Sequence, residues 1–171
     1  MRKTFLMLCL MVLLSMTITA QSQTFTRDGL EYKLDLPTAS WKAVTRLDVH
    51  EHFDFLNGND ASEGYLRLTR RFTEPGTIAA ELFSYDEKWE LKRLPGYVVC
   101  SSGVGTDFQG SLRGTVFSYE FVSKGMNMDG RIYYLQLDNR TFYVLHFTVA
   151  SEKLPRLRDQ MDSIARSFRL K

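Results

Sequence analysis

The sequence predicts an α+β fold, an α/β/α sandwich in which a largely antiparallel sheet is covered by a central helix and a C-terminal helix. Three observations carry this. Residues 131–137 and 141–148 are rich in Tyr, Phe, Ile, Val and Leu, and Asp138-Asn139-Arg140 splits them, a strand–turn–strand pattern. Leu154, Leu157, Met161, Ile164 and Phe168 recur at spacings of three and four, so one stripe of a closing helix needs burial, and the hairpin before it is the nearest surface. The element order is mostly strands, a helix, mostly strands, a helix, with no repeat period and no low-complexity tract. That order suits an antiparallel sheet better than a βαβ series.

Residues 1–20 read as an export signal: Arg2 and Lys3 precede an almost wholly apolar run, and the segment closes at Ala20. The apolar run is short for a span of about 20 residues, so no retained transmembrane segment is expected. Residues 21–171 are expected to form one domain in the periplasm or outside the cell. The chain has 22 Lys+Arg and 20 Asp+Glu, and removing Arg2 and Lys3 balances the charge, which argues against a nucleic-acid partner. Cys100 is then the sole cysteine, expected to be a packed thiol at the end of a short strand over 97–100.

Leu30, Tyr32, Leu34 and Leu36 alternate with Glu31, Lys33 and Asp35, a half-buried strand that Pro37 ends, and Trp41 follows as a packing anchor. In the strand over 48–55, Asp48, His50, His52 and Asp54 share one face, and Phe53 and Phe55 point to the core. Asn57-Gly58-Asn59-Asp60 turns the chain into a strand over 63–72. There Tyr65, Arg67, Thr69 and Arg71 oppose Leu66, Leu68 and Phe72, and Arg70 interrupts the apolar side. After Pro75-Gly76, Thr77 can cap a helix of about four turns. Its expected buried stripe is Ile78, Leu82, Tyr85 and Trp89, with Glu81, Asp86, Glu87, Lys88, Glu90 and Lys92 in solvent and Pro95-Gly96 as the stop. Residues 101–110 read as glycine-bearing loops, 115–122 as a strand, and Lys124-Gly125 with 127–130 as the connection to the closing hairpin.

The chemistry is sparse. His50 and His52 are the candidate metal ligands, because alternate strand residues project to one side and imidazole suits zinc or copper; Asp48, Asp54 or His146 could complete such a site. Tyr65, Arg67 and Arg71 are the candidate binding residues, a basic run that could meet an acidic surface or pair with carboxylates of neighbouring strands. No serine lies in a Gly-x-Ser-x-Gly elbow, no glycine loop has phosphate-binding spacing, and no cofactor is expected.

Three stretches resemble the PsbP-like superfamily, which includes the extrinsic photosystem protein PsbP, DcrB-type envelope proteins and the Ran-binding Mog proteins. They are the run from Gly29 through Pro37 with Trp41 after it, the central helix following an extended strand, and Tyr143-Val144-Leu145-His146-Phe147-Thr148 with a helix closing in Ser163-Ile164-Ala165-Arg166-Ser167-Phe168. The resemblance implies an α/β/α sandwich and proteins that bind or assemble more than they catalyse; it transfers no functional residue. The expected function is therefore an exported, non-catalytic binding or assembly module whose partner is another envelope or extracellular protein. The alternative is a small-ligand or metal-binding envelope protein using the His50/His52 face.

Overall fold

A computed structural model describes residues 22–44, 52–100 and 105–171. Residues 1–20, read above as an export signal, lie outside the described residues, as do Asp48, His50 and residues 101–104. The N-terminal part contributes β1 (Gln23–Phe25), β2 (Tyr32–Leu36), β3 (Trp41–Val44), β4 (His52–Asn57) and β5 (Tyr65–Phe72). The central helix α1 (Ala79–Trp89) follows, then β6 (Val98–Val99), β7 (Thr106–Gln109), β8 (Arg113–Ser123), β9 (Met126–Gln136) and β10 (Thr141–Ala150). A 3-10 turn at Ser151–Lys153 leads into α2 (Leu154–Ser167), and β11 (Arg169–Leu170) follows.

The large sheet runs β3-β4-β5-β10-β9-β8-β6, with β7 also paired to β8, and its pairings are antiparallel. A small second sheet, β1-β2-β11, pairs Arg169 with Lys33 and so joins the first and last described elements. The structure is thus the α+β sandwich expected.

One face of the large sheet is fully packed. Tyr32, Leu34 and Leu36 of β2 meet Leu157, Met161, Ile164 and Ala165 of α2 over Leu66, Leu68, Tyr133, Leu145 and Phe147. The spacing of α2 explains this: its apolar residues fall on one stripe, and Pro155 sits in the first turn, where a backbone N–H would have no intrahelical acceptor and its absence costs no bond. Trp41 is buried as expected, and its indole N–H donates to Gln160 Oε1 at 2.9 Å. Arg131 pairs with Asp162 at 3.0 Å, tying α2 to β9.

Several expectations need correction. The segment after Gly105 is not loop throughout, because Thr106–Gln109 pair with Arg113–Val116. Residues 127–130 belong to β9, and the β8–β9 turn is only Lys124-Gly125, both with positive φ (51° and 77°), the twist a two-residue hairpin needs. Gly130 is required within that strand. A Cβ there would meet Cζ of Tyr119, its cross-strand partner, at 2.1 Å. Cys100 is exposed instead of packed; it approaches Glu120 at 3.5 Å, and partial desolvation with that carboxylate pushes its thiol up to about 11.

The largest correction concerns α1. Its buried side chains are Ala79, Phe83 and Asp86, while Ile78, Tyr85 and Trp89 are 58%, 58% and 46% exposed. Phe83 stacks flat on Phe117, centroids 4.1 Å apart, which fixes the helix rotation. Of the stripe expected from spacing, Leu82 packs at the edge of the buried cluster while Ile78, Tyr85 and Trp89 face outward.

Candidate functional site

The second face of the large sheet changes character along each lateral row. Asp54 of β4 stands opposite Arg67 of β5, Arg67 opposite His146 of β10, His146 opposite Ile132 of β9 and Ile132 opposite Phe117 of β8. The β8–β10 half is apolar and lies under α1, with Phe117, Tyr119, Tyr134, Phe142 and Val144 around Phe83. The β4–β5 half is polar and lies beside α1. Between them runs a cleft of about 300 Å³ whose lining includes Arg67, Thr69, Arg71, Asp86, Glu90 and His146.

Arg71, Asp86, Arg67 and His146 each have polar partners. Arg71 Nη1 donates to Asp86 Oδ1 at 2.5 Å, and the phenol of Tyr134 donates to Asp86 Oδ2 at 2.7 Å. Burial first, and Asp86 second, raise the Tyr134 pKa strongly, so it remains a donor. Asp86 is thus a buried carboxylate with both oxygens used, and it pins α1 to β5 and β9. Arg67 meets Asp54 at 3.4 Å and donates to the Tyr65 hydroxyl from Nη2 at 3.0 Å. His146 shares a hydrogen bond of 2.6 Å with the Tyr119 hydroxyl. Burial, with Arg67 and Arg71 adding repulsion, lowers its pKa to about 4, so the imidazole is neutral near pH 7.

Of the sequence candidates, Tyr65, Arg67 and Arg71 share this face, but they divide. Tyr65 and Arg67 form a group with Asp54, while Arg71 is committed to α1 through Asp86. The backbone of His52 stands opposite Thr69, one strand beyond β5 from His146, so β10 is the neighbour of β5 and not of β4. Among the described residues no group of three or more His, Cys, Asp or Glu is placed to hold a metal ion. Asp86 and Tyr134 were missed from the sequence. Asp86 was assigned to solvent with the other acids of the helix, although it follows Ala79 and Phe83 by seven and three, the spacing of the stripe that is buried.

The architecture is PsbP-like. The solution structure of CyanoP, the cyanobacterial PsbP of Synechocystis sp. PCC 6803, matches 92% of this chain and 96% of its own with a TM-score of 0.62 at 9% identity. The crystal structure of LpqN of Mycobacterium tuberculosis, described as involved in cell envelope biogenesis, matches 88% of this chain and 91% of its own with a TM-score of 0.54 at 14% identity. A crystal structure from Bacteroides thetaiotaomicron matches 88% of this chain with a TM-score of 0.58 at 14% identity; the match spans 49% of that chain, about half its length. No protein-family model and no curated protein matches the sequence. At these identities the likeness shows the fold alone. No helix among the described residues is long and apolar enough to cross a membrane.

Proposed function

We propose that this chain is an exported, non-catalytic binding module of the cell envelope, and that a partner protein docks on the outer face of α1. The observation that carries the reading is the exposed stripe of Ile78, Tyr85 and Trp89 on a helix whose inner stripe is already filled by Ala79, Phe83 and Asp86. Tyr85 and Trp89 are one turn apart, their ring centroids separated by 6.4 Å, and Lys88 lies 4.9 Å from the Trp89 ring. Large aromatics with a polar rim are the residue types that anchor interfaces. Arg67, with 42% of its side chain exposed beside the cleft, supplies a cationic rim for an acidic group of the partner, with Tyr65 orienting it. Arg71 holds the helix at the correct height through Asp86. The charged end of residues 1–20 and the PsbP-like architecture support export and a binding role.

The test is a photo-crosslinking amino acid at Ser84, on the exposed side of α1, in cells exporting the full chain. A discrete protein adduct that disappears when Tyr85→Ser and Trp89→Ser are combined supports the reading. An adduct unaffected by those changes, or none, overturns it.

A further inference from the structure

The packed face of the sheet has one margin where polar groups are buried and unspent. Tyr32 of β2 and Tyr143 of β10 are 6% and 1% exposed, yet neither hydroxyl has a hydrogen-bond partner among the described residues. The Nε–H of Arg70 is buried and unpartnered as well. These three residues line the same cavity, about 230 Å³, together with Leu30, Phe53, Leu68 and Phe72. Arg70 and Tyr143 are direct cross-strand partners, and the Tyr32 and Tyr143 rings pack 5.7 Å apart. A buried donor without an acceptor costs stability, so three of them on residues that line one cavity is a large local penalty, where the other polar groups of this face, Trp41 with Gln160 and Arg131 with Asp162, are paired.

The chemistry of an occupant follows from what is missing. Burial raises both phenols above their ordinary range, so each is a protonated donor at neutral pH. Arg70 is the cation of the cavity, held at 2.7 Å by the exposed Glu31 carboxylate through Nη1. Three donors and one positive charge fit a single carboxylate, which would take over from Glu31; a dianion would leave a charge unmatched. The remaining wall is aromatic and aliphatic. The volume exceeds the ~150 Å³ of a cavity that holds benzene and is below the ~300 Å³ where drug-sized pockets begin.

We propose that this cavity is a binding site for a small monocarboxylate with an apolar body, its carboxylate accepting from Tyr32, Tyr143 and Arg70 Nε and its body lying against Phe53, Leu68 and Phe72. Arg70, which breaks the apolar side of β5 in the sequence, is there for the carboxylate. The site is on the opposite face from the α1 docking surface and stands independently of it.

The experiment is a titration of the purified protein with phenylacetate and, as the uncharged counterpart, 2-phenylethanol, followed by heteronuclear NMR and calorimetry. Phenylacetate should saturate one site, shifting resonances of Tyr32, Arg70 and Tyr143, and the alcohol should bind about tenfold more weakly or less. The Tyr32→Phe/Tyr143→Phe pair should lose about tenfold in phenylacetate affinity while melting at a higher temperature, because two orphaned hydroxyls are gone. Glu31→Gln, at an exposed side chain, should tighten binding by removing the competing carboxylate. Equal binding of the alcohol, unchanged affinity in the double Phe variant, or no saturable binding of either phenylacetate or hexanoate would overturn the site. Combining Tyr85→Ser with Trp89→Ser should leave phenylacetate affinity unchanged, so failure of either reading is seen separately.

Discussion

The two faces of the large sheet are covered in different ways. Against the packed face lie α2 and the small sheet, and the cluster from Tyr32 to Phe168 is continuous from one end to the other. Against the second face, over the β8–β10 half, lie α1 and the 3-10 turn at Leu91–Arg93 after it, with the Phe83–Phe117 stack and the buried Asp86 carboxylate among their anchors. Both faces combine apolar burial with directional contacts, Trp41–Gln160 and Arg131–Asp162 on the first and Arg71–Asp86–Tyr134 on the second; what differs is the extent of the cover. The half-covered face is the one that leaves a cleft beside its helix.

The comparison can be broken at several levels. Phe147→Ala, in the centre of the packed face, should cost about 3–5 kcal/mol in urea unfolding, and truncation after Ala150 should leave no cooperative transition. A soluble, cooperatively unfolding truncation would show that α2 is not the cover of that face. Asp86→Ala on the second face leaves Arg71 and Tyr134 without their acceptor and should cost about 3 kcal/mol, with loss of α1 protection in hydrogen exchange. A cost within the range of surface substitutions would mean that α1 is held by Phe83 alone.

The pH dependence separates the faces further. His146 has a folded pKa near 4 against an ordinary 6.5, so the unfolded chain binds a proton more readily between those values. Its contribution is therefore fully favourable above pH 6.5, falls as pH drops through that window, and is constant below pH 4. The loss over that window is about 3 kcal/mol. Replacing it by His146→Gln should flatten the stability profile between pH 4 and 6.5; an unchanged slope would place the titration elsewhere. Smaller effects follow. Tyr143→Phe should stabilise the protein by about 1 kcal/mol, since its hydroxyl is buried without an acceptor. Tyr85→Ser with Trp89→Ser should stay within about 0.5 kcal/mol per site of the parent by urea titration, because both residues lie on the exposed side of α1, outside the buried cluster.

How much of this was legible depended on whether one period decided the matter. The α2 stripe and the β2 alternation each had a single apolar side, so pattern and burial coincide. Around α1 there were two apolar stripes, Ile78-Leu82-Tyr85-Trp89 and Ala79-Phe83-Leu91, and spacing favoured the longer one. The outcome was set by groups distant in sequence: Phe117 accepting the Phe83 ring, and Arg71 with Tyr134 drawing Asp86 inward. The candidate site suffered the same limit. Tyr65, Arg67 and Arg71 were correctly placed on one strand face by a period of two, but their division between Asp54 and Asp86 depends on which element lies over each. His50 lies outside the described residues, so the proposed metal pair rests on sequence alone. The interruption at Arg70 was visible as a break in alternation, and only the arrival of Tyr32 and Tyr143 beside it gives the break a chemical meaning.

The pairing of β11 with β2 has a kinetic consequence. Lys33 finds Arg169 only after the whole intervening chain exists, and Phe168, just before it, fills the gap between the Tyr32 and Tyr143 rings at 5.2 and 4.7 Å. Contacts of such long sequence separation form late, since the loop they close is nearly the full length of the domain. The apolar side of β2 therefore stays uncovered until residues 154–170 have been made and can pack on it.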